Sequence, residues 1–324
     1  MGRGVRAMAM RWAGMTALAA GLLACAARAG TPADEIRAVE VGSGVYMVQG
    51  LPGEPDATNL GRVGNAGFVV GPGGVIAIDI GTSYRHGKLL LAAIARVTDR
   101  PVKLAIVTHT RQEFLFGGEA WRERGIPIAM QTEAAQLMAG RCDNCLKTLR
   151  QQLGADAMAG TEMFKADRTF ADGKEIDAQT LIGRPVKVLY FGHSSGPGDV
   201  AVFDPTSGVV FAGGLADRER IPDVSDSDLP GWERALQALK ALAPKVVVPG
   251  HGPAAGVVVL TDVERYLAQL QARERALLKG DTPLSEVADA SDLPDFERWD
   301  QYETTHRRNA AIVYLRFERE QLLR

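Results

Sequence analysis

The stretch Pro101 to Gly118, PVKLAIVTHTRQEFLFGG, decides how the rest of the chain is read. Leu104 to Thr108 is a short apolar run ending in a polar turn, the pattern of a buried strand that delivers its C-terminal end to a site. His109, Arg111, Glu113 and Phe114 follow at once, and Gly117-Gly118 then opens a helix through Trp121 and Arg124. The strand end therefore carries an imidazole, a guanidinium and a carboxylate in quick succession.

Working outward, the elements fall into two similar halves. Glu35 to Leu51 alternates apolar and polar residues between glycines and reads as opening antiparallel strands. Gly67 to Gly81 (GFVVGPGGVIAIDIG) reads as a hairpin turning at Gly71 to Gly74. Tyr84 to Arg96 has helical spacing and stops before Pro101. Beyond the central stretch, Ile126 to Met130 is a short strand, and Thr132 is expected to cap a long helix holding Cys142 and Cys145. Strand patterns return from Phe164. Lys187 to Phe191 delivers His193, Val200 to Ala212 is a hairpin, and Leu229 to Leu242 is an amphipathic helix. Lys245 to Val248 is a strand ending in Pro249-Gly250-His251-Gly252. This alternation predicts an α/β sandwich over residues 30–256, two packed sheets with helices on both outer faces. A helix from Asp262 to Leu278 and a final one from Asp300 to Leu323 predict a helical extension over 257–324 packed on it.

The 324 residues are 46% hydrophobic and 23% charged, an ordinary globular composition. The formal charge is −2, and four of the basic residues, Arg3, Arg6, Arg11 and Arg28, lie in a segment read as removable. The acidic balance argues against a nucleic-acid partner. That segment has a basic start, an apolar stretch from Ala13 to Ala27 and Ala27-Arg28-Ala29 before Gly30, the pattern of a secretory signal peptide over residues 1–29. The apolar stretch is short for a membrane span, so the mature chain is expected to have none. Leu22-Leu23-Ala24-Cys25 also fits a lipoprotein box, with Cys25 as the lipidated terminus. The expected compartment is periplasmic or extracellular. There Cys142 and Cys145, one helical turn apart, are expected to close a small structural disulfide. A redox role for the pair and a four-ligand zinc site lack the surrounding residues they need.

Several ordered landmarks carry a resemblance: Asp79-Ile80-Gly81, Thr108-His109, Gly192-His193-Ser194, Phe211-Ala212-Gly213 and Pro249-Gly250-His251-Gly252. In this order they resemble the metallo-β-lactamase superfamily. The stretches from His193 through Asp228-Leu229-Pro230-Gly231-Trp232 to VVVPGHGP, with the tail from Asp300 to Tyr314, look like the secreted quinoprotein relay system zinc metallohydrolases. The resemblance implies an αββα sandwich, periplasmic metabolism and zinc-assisted hydrolysis. It also marks departures. In the T-H-x-H-x-D-H motif only His109 is kept, with Arg111, Glu113 and Phe114 at the other positions. Gly214 stands where an aspartate bridges two metals, and Asp217 lies three residues beyond. A dinuclear centre is therefore not expected.

Three readings of His109, His193 and His251 stay open. They hold one zinc ion, with Glu113 as extra ligand or general base and Arg111 receiving an anionic substrate group. Alternatively, Arg111 stands in place of metal charge in an anion pocket, or the histidines are hydrogen-bonded remnants. Against the first, a unit charge held 4 Å from a divalent ion at an effective dielectric near 20 costs roughly 8 kcal/mol. The corresponding functions are metal-assisted hydrolysis of a small substrate, or a metal-free relative that binds a small anion or a periplasmic protein. His86 and His306 read as packing or surface histidines, and Asp79 as a structural carboxylate beneath the site. Asp223, Asp226 and Asp228 lack the glycine and glutamate of a calcium loop. Ser194 and Ser195 lack a nucleophile elbow.

Overall fold

Apolar residues facing both ways along short strands require cover on both sides of each sheet, and that requirement builds the architecture. The structure, a computed structural model, describes residues 36–323; the segment read as a signal peptide, with Cys25, lies outside them. One sheet has seven strands in chain order: β1 (Val39–Gly42), β2 (Val45–Val48), β3 (Ala66–Gly71), β4 (Gly74–Ile78), β5 (Val102–Ile106), β6 (Ile128–Gln131) and β7 (Arg168–Phe170). Pairing is antiparallel from β1 to β4 and parallel from β4 to β7. The second sheet runs in the order β11-β10-β9-β8, from β8 (Lys187–Tyr190), β9 (Val200–Asp204), β10 (Val209–Gly213) and β11 (Val246–Pro249).

Three apolar layers follow. Val69, Ile76, Ile106, Val202 and Phe211 lie buried between the sheets. Helices α1 (Tyr84–Val97), α2 (Gly118–Arg122) and α3 (Thr132–Leu153) cover the outer face of the first sheet, with Trp121 and Leu149 in that layer. The second sheet is covered by α5 (Leu229–Ala241) and α6 (Val258–Lys279), α4 (Ala178–Ile182) being a short connection before β8. Two further helices, α7 (Leu284–Ala290) and α8 (Arg307–Leu322), enter the same layer through Val287, Val313 and Phe317. The result is the αββα sandwich. Among the described residues no helix is long and apolar enough to cross a membrane.

Local chemistry departs from expectation in three places. Gln131, not Thr132, caps α3, its side chain accepting from the backbone of Glu133 and Ala134. The final helix is not continuous from Asp300: a π-helical turn, Tyr302–His306, precedes α8, and α7 occupies the proline-containing link. The expected disulfide is not formed. Cys142 and Cys145 both remain thiols, Cys142 turned into the core and Cys145 half-buried with its thiol 3.8 Å from the Arg141 carbonyl. The two side chains share one face of the helix and meet through a thiol hydrogen bond instead of a covalent bond.

Candidate functional site

Strand ends from both sheets meet along one edge of the sandwich. After β4 the chain takes a left-handed turn at Asp79 (φ 63°), which aims its carboxylate at the end of β5. There it accepts the Thr108 backbone N–H at 2.9 Å and the Thr108 hydroxyl at 3.0 Å. Burial pushes the Asp79 carboxyl up to about 7, against the pull of the Thr108 bonds. The Thr108 hydroxyl proton is thus engaged, so its oxygen, 2.7 Å from His109 Nδ1, accepts from that ring. The relay places the His109 proton on Nδ1 and leaves Nε2 as a lone pair. Nε2 is buried and has no hydrogen-bond partner. Burial, reinforced by the neighbouring Arg111, pushes the His109 imidazole down to about 3, so it is neutral.

His251 has the opposite surroundings. Its Nε2 lies 2.8 Å from Glu113 Oε1 and its Nδ1 2.7 Å from Asp217 Oδ1. Two carboxylate partners require both ring nitrogens to donate, which is the imidazolium. Burial alone depresses this group, but the charge and hydrogen bond of Asp217 and the Glu113 bond outweigh it and raise it above the ordinary 6.5. Burial likewise opposes ionisation of Glu113 and Asp217, and His251 outweighs it in both, holding each carboxyl below its usual range. Arg111 completes the chain, its Nη1 3.6 Å from Asp217 Oδ2 and its Nη2 donating to the Asp223 carbonyl at 3.4 Å. Glu113, His251, Asp217 and Arg111 form a row of alternating charge that neutralises itself.

The remaining expected site residues are placed otherwise. Phe114 packs its ring against both His109 (centroids 4.2 Å apart) and His251 (5.3 Å), filling the space between them. His193 follows Gly192, whose φ of 83° turns the chain, and is exposed; its Nε2 donates to the Asp226 carbonyl at 2.6 Å. His86 is a buried packing residue, accepting the Thr82 N–H at 3.2 Å. His306 is also buried, donating from Nε2 to the Ser291 carbonyl at 2.7 Å.

A zinc ion needs three or four converging lone pairs. Here His251 offers none, the Nε2 of His193 is committed, Phe114 stands between the other two rings and Arg111 brings positive charge. Of the Nε2 atoms of these three histidines, that of His109 alone is without a hydrogen bond. Among the described residues no group of three or more His, Cys, Asp or Glu is arranged to hold a metal ion. The donor set does not fit zinc. Arg111 is paired with Asp217 at 3.6 Å and keeps part of its side chain exposed.

Two carboxylates at the centre are missing from the expected site: in sequence Asp217 reads as too far beyond Gly214, and Asp199 does not enter the reading. Asp217 reaches His251 because the chain turns back after β10, with Leu215 N bonded to the Ala212 carbonyl at 3.0 Å. Gly250 N then meets the Ala216 carbonyl and Arg218 N the His251 carbonyl. Buried Trp232 secures this turn by donating to the Leu215 carbonyl at 2.8 Å. The visible signal was Gly213-Gly214, a turn that shortens the separation. Asp199, 4% exposed, accepts the Ser195 hydroxyl at 2.6 Å and is pushed up to about 6, chiefly by burial. It closes a cavity of about 80 Å³ lined also by His109, Arg111, Ser195, Asp223 and Asp226. A cleft of about 270 Å³, with Leu51, Arg218, Arg220 and Asp300 in its walls, reaches the network at His251.

The comparisons with known proteins agree with this architecture. The family model described as "Metallo-beta-lactamase superfamily" matches residues 148–251. A metallo-beta-lactamase type 2 of Bacteroides fragilis is 30% identical over 95 residues, 28% of this chain and 38% of that one. A linear primary-alkylsulfatase of Pseudomonas sp. (strain ATCC 19151) is 23% identical over 232 residues, 61% of this chain and 43% of that one. The chain thus spans less than half the length of either curated relative. Among solved structures, a metallo-beta-lactamase from Pontibacter korlensis superposes with a TM-score of 0.58 at 23% identity, covering 72% of this chain and 99% of that one.

Proposed function

Starting from a chain with the fold of the metallo-beta-lactamase superfamily, a hydrolase-like fold, we propose that this protein is an exported, metal-independent relative that binds a small polar molecule at the former metal edge. The observation that carries the reading is His251 held as an imidazolium between Glu113 and Asp217, with Arg111 against Asp217. Two protein cations occupy the role that metal charge plays in a zinc hydrolase, and they leave no converging set of lone pairs to compete for an ion. Export rests on the basic, apolar and small-residue pattern of residues 1–29. The quinoprotein-linked setting remains part of the same proposal and rests on the His193 to Trp232 stretch.

The test is elemental analysis of protein purified without a metal-affinity tag. The expected result is a metal content near zero, unchanged after dialysis against zinc. About one zinc per chain, lost in His193→Ala, would sink the proposal and favour a mononuclear hydrolase. The double variant Arg111→His, Phe114→His reintroduces two imidazoles where the network and the ring now stand. It is expected to take up zinc that the parent does not, with glutamate and aspartate freed as ligands.

A further inference from the structure

The C-x-x-C turn of α3 lies against the former metal edge without belonging to its charged row. Cys142 is buried at 3% exposure and Cys145, on the same helix face, is half-buried. Their thiols form a directed pair. The Cys145 S–H donates to the Arg141 carbonyl at 3.8 Å, and the Cys142 S–H donates to the Cys145 sulfur. That second bond is the main cause bringing the Cys145 thiol down to about 7, so part of it is thiolate at neutral pH. An accessible thiolate beside a second, buried thiol is the arrangement of peroxide-reactive cysteines. The same turn is tied to the site. Arg141 Nη1 bonds Asp226 Oδ1 at 2.7 Å, the Asp226 carbonyl accepts from His193 Nε2 at 2.6 Å, and α3 packs on the turn Gln112–Phe114 that carries Glu113. Helix positions three apart hold their Cβ atoms about 5–6 Å apart, whereas a disulfide needs about 3.5–4.5 Å. Closing the pair must therefore draw this turn in by about an ångström or more. It also removes the thiol proton that the Arg141 carbonyl accepts. A bond formed against the helix in this way is strained, and strained disulfides are the readily reduced ones.

We propose that Cys142 and Cys145 are a reversible, peroxide-responsive pair whose closure distorts α3 and releases Arg141 from Asp226. The Cys145 thiolate attacks one oxygen of hydrogen peroxide. The O–O bond breaks, and the leaving hydroxide takes up a proton to become water, giving the Cys145 sulfenic acid. The Cys142 sulfur then attacks the Cys145 sulfur. The S–O bond breaks, and the Cys142 proton leaves with the hydroxyl as a second water. Peroxide is reduced by two electrons and two thiols are oxidised to one disulfide. Both sulfurs lie in one turn, so the step needs no thioredoxin-like scaffold around them. The inference stands independently of the metal-free reading above.

The experiment uses the full chain, reduced, freed of reductant and treated with hydrogen peroxide in the presence of a chelator. Residual thiols are then blocked with N-ethylmaleimide. Trypsin cuts after Arg141 and Lys147, so both cysteines fall in the single peptide Cys142 to Lys147. That peptide is expected to carry no label and to weigh two hydrogens less than the dithiol. Dithiothreitol added to the folded protein is expected to restore both labels. In Cys142→Ser the sulfenic acid should persist on Cys145 and be trapped by dimedone. Cys145→Ser should slow oxidation at Cys142 about tenfold or more. Hydrogen–deuterium exchange over residues 223–228 is expected to be faster in the oxidised than in the reduced chain, with no such difference when both cysteines are serine. A peptide that keeps both thiols, passes directly to sulfinic acid or resists dithiothreitol in the folded chain overturns the inference. Exchange at 223–228 that ignores the oxidation state overturns its link to Arg141 and Asp226.

Discussion

His109 and His251 show how one side chain is put to opposite uses by its surroundings. The first is neutral because burial and the Arg111 charge outweigh the pull of Glu113 and Asp217; the second is charged because both carboxylates bond to it directly. Breaking a buried ion pair by removing one member costs about 3–5 kcal/mol, so His251→Gln is expected to lose stability on that scale in denaturant unfolding. The pH dependence has a definite sign. The His251 contribution is complete below its ordinary 6.5 and is lost as pH rises through the raised folded value. The Glu113 contribution is complete above its ordinary 4.5 and is lost as pH falls through the lowered one. The stability difference between parent and His251→Gln should therefore be largest between 4.5 and 6.5 and shrink at higher pH. A difference that grows toward alkaline pH would contradict the imidazolium assignment.

At the scale of elements, the short 3₁₀ turn Gln112–Phe114 does two jobs, offering Glu113 to His251 and wedging Phe114 between the rings. Phe114→Ala removes a fully buried ring and is expected to cost about 3–5 kcal/mol, measured by chemical denaturation. On α3, the Cys142 hydrogen bond is the main cause lowering the Cys145 thiol to about 7. Cys145 should therefore be alkylated by iodoacetamide near neutral pH well before Cys142, which should react only on unfolding; equal labelling would contradict their placement. Much of this layout was legible beforehand. Apolar runs bounded by Gly and Pro marked the strands, and helical spacing marked α1, α3 and α5, because those patterns are local. The site was less legible, because its partners depend on turns. Asp217 joins His251 only through the reversal after Gly213, and His193 leaves the cluster through the turn at Gly192. Residue type alone fixed neither direction.

Across the whole molecule, the C-terminal helices build part of the site's surroundings. Asp300 accepts the Gly53 N–H at 2.9 Å and the Arg220 guanidinium at 3.0 Å, pinning the loop between β2 and β3 against the His251 edge. Asp300→Ala leaves Arg220, 9% exposed at its side chain, short of a partner. By the net value of hydrogen bonds to charged groups the expected loss is about 2 kcal/mol. It should appear as faster limited proteolysis within residues 51–63, whereas unchanged cleavage would show that the loop is held elsewhere.

Asn309 on α8 reaches Tyr266 on α6 at 2.9 Å and the Pro222 carbonyl at 2.7 Å, so the outer layer over the second sheet is finished only by an element that follows every strand in the chain. Time enters through that order. While the polypeptide is being made, the apolar side of α6 has no lid until α8 has emerged, and the second half of the sandwich cannot reach its final packing piecemeal. The cover over that sheet is therefore the last part of the described chain to close.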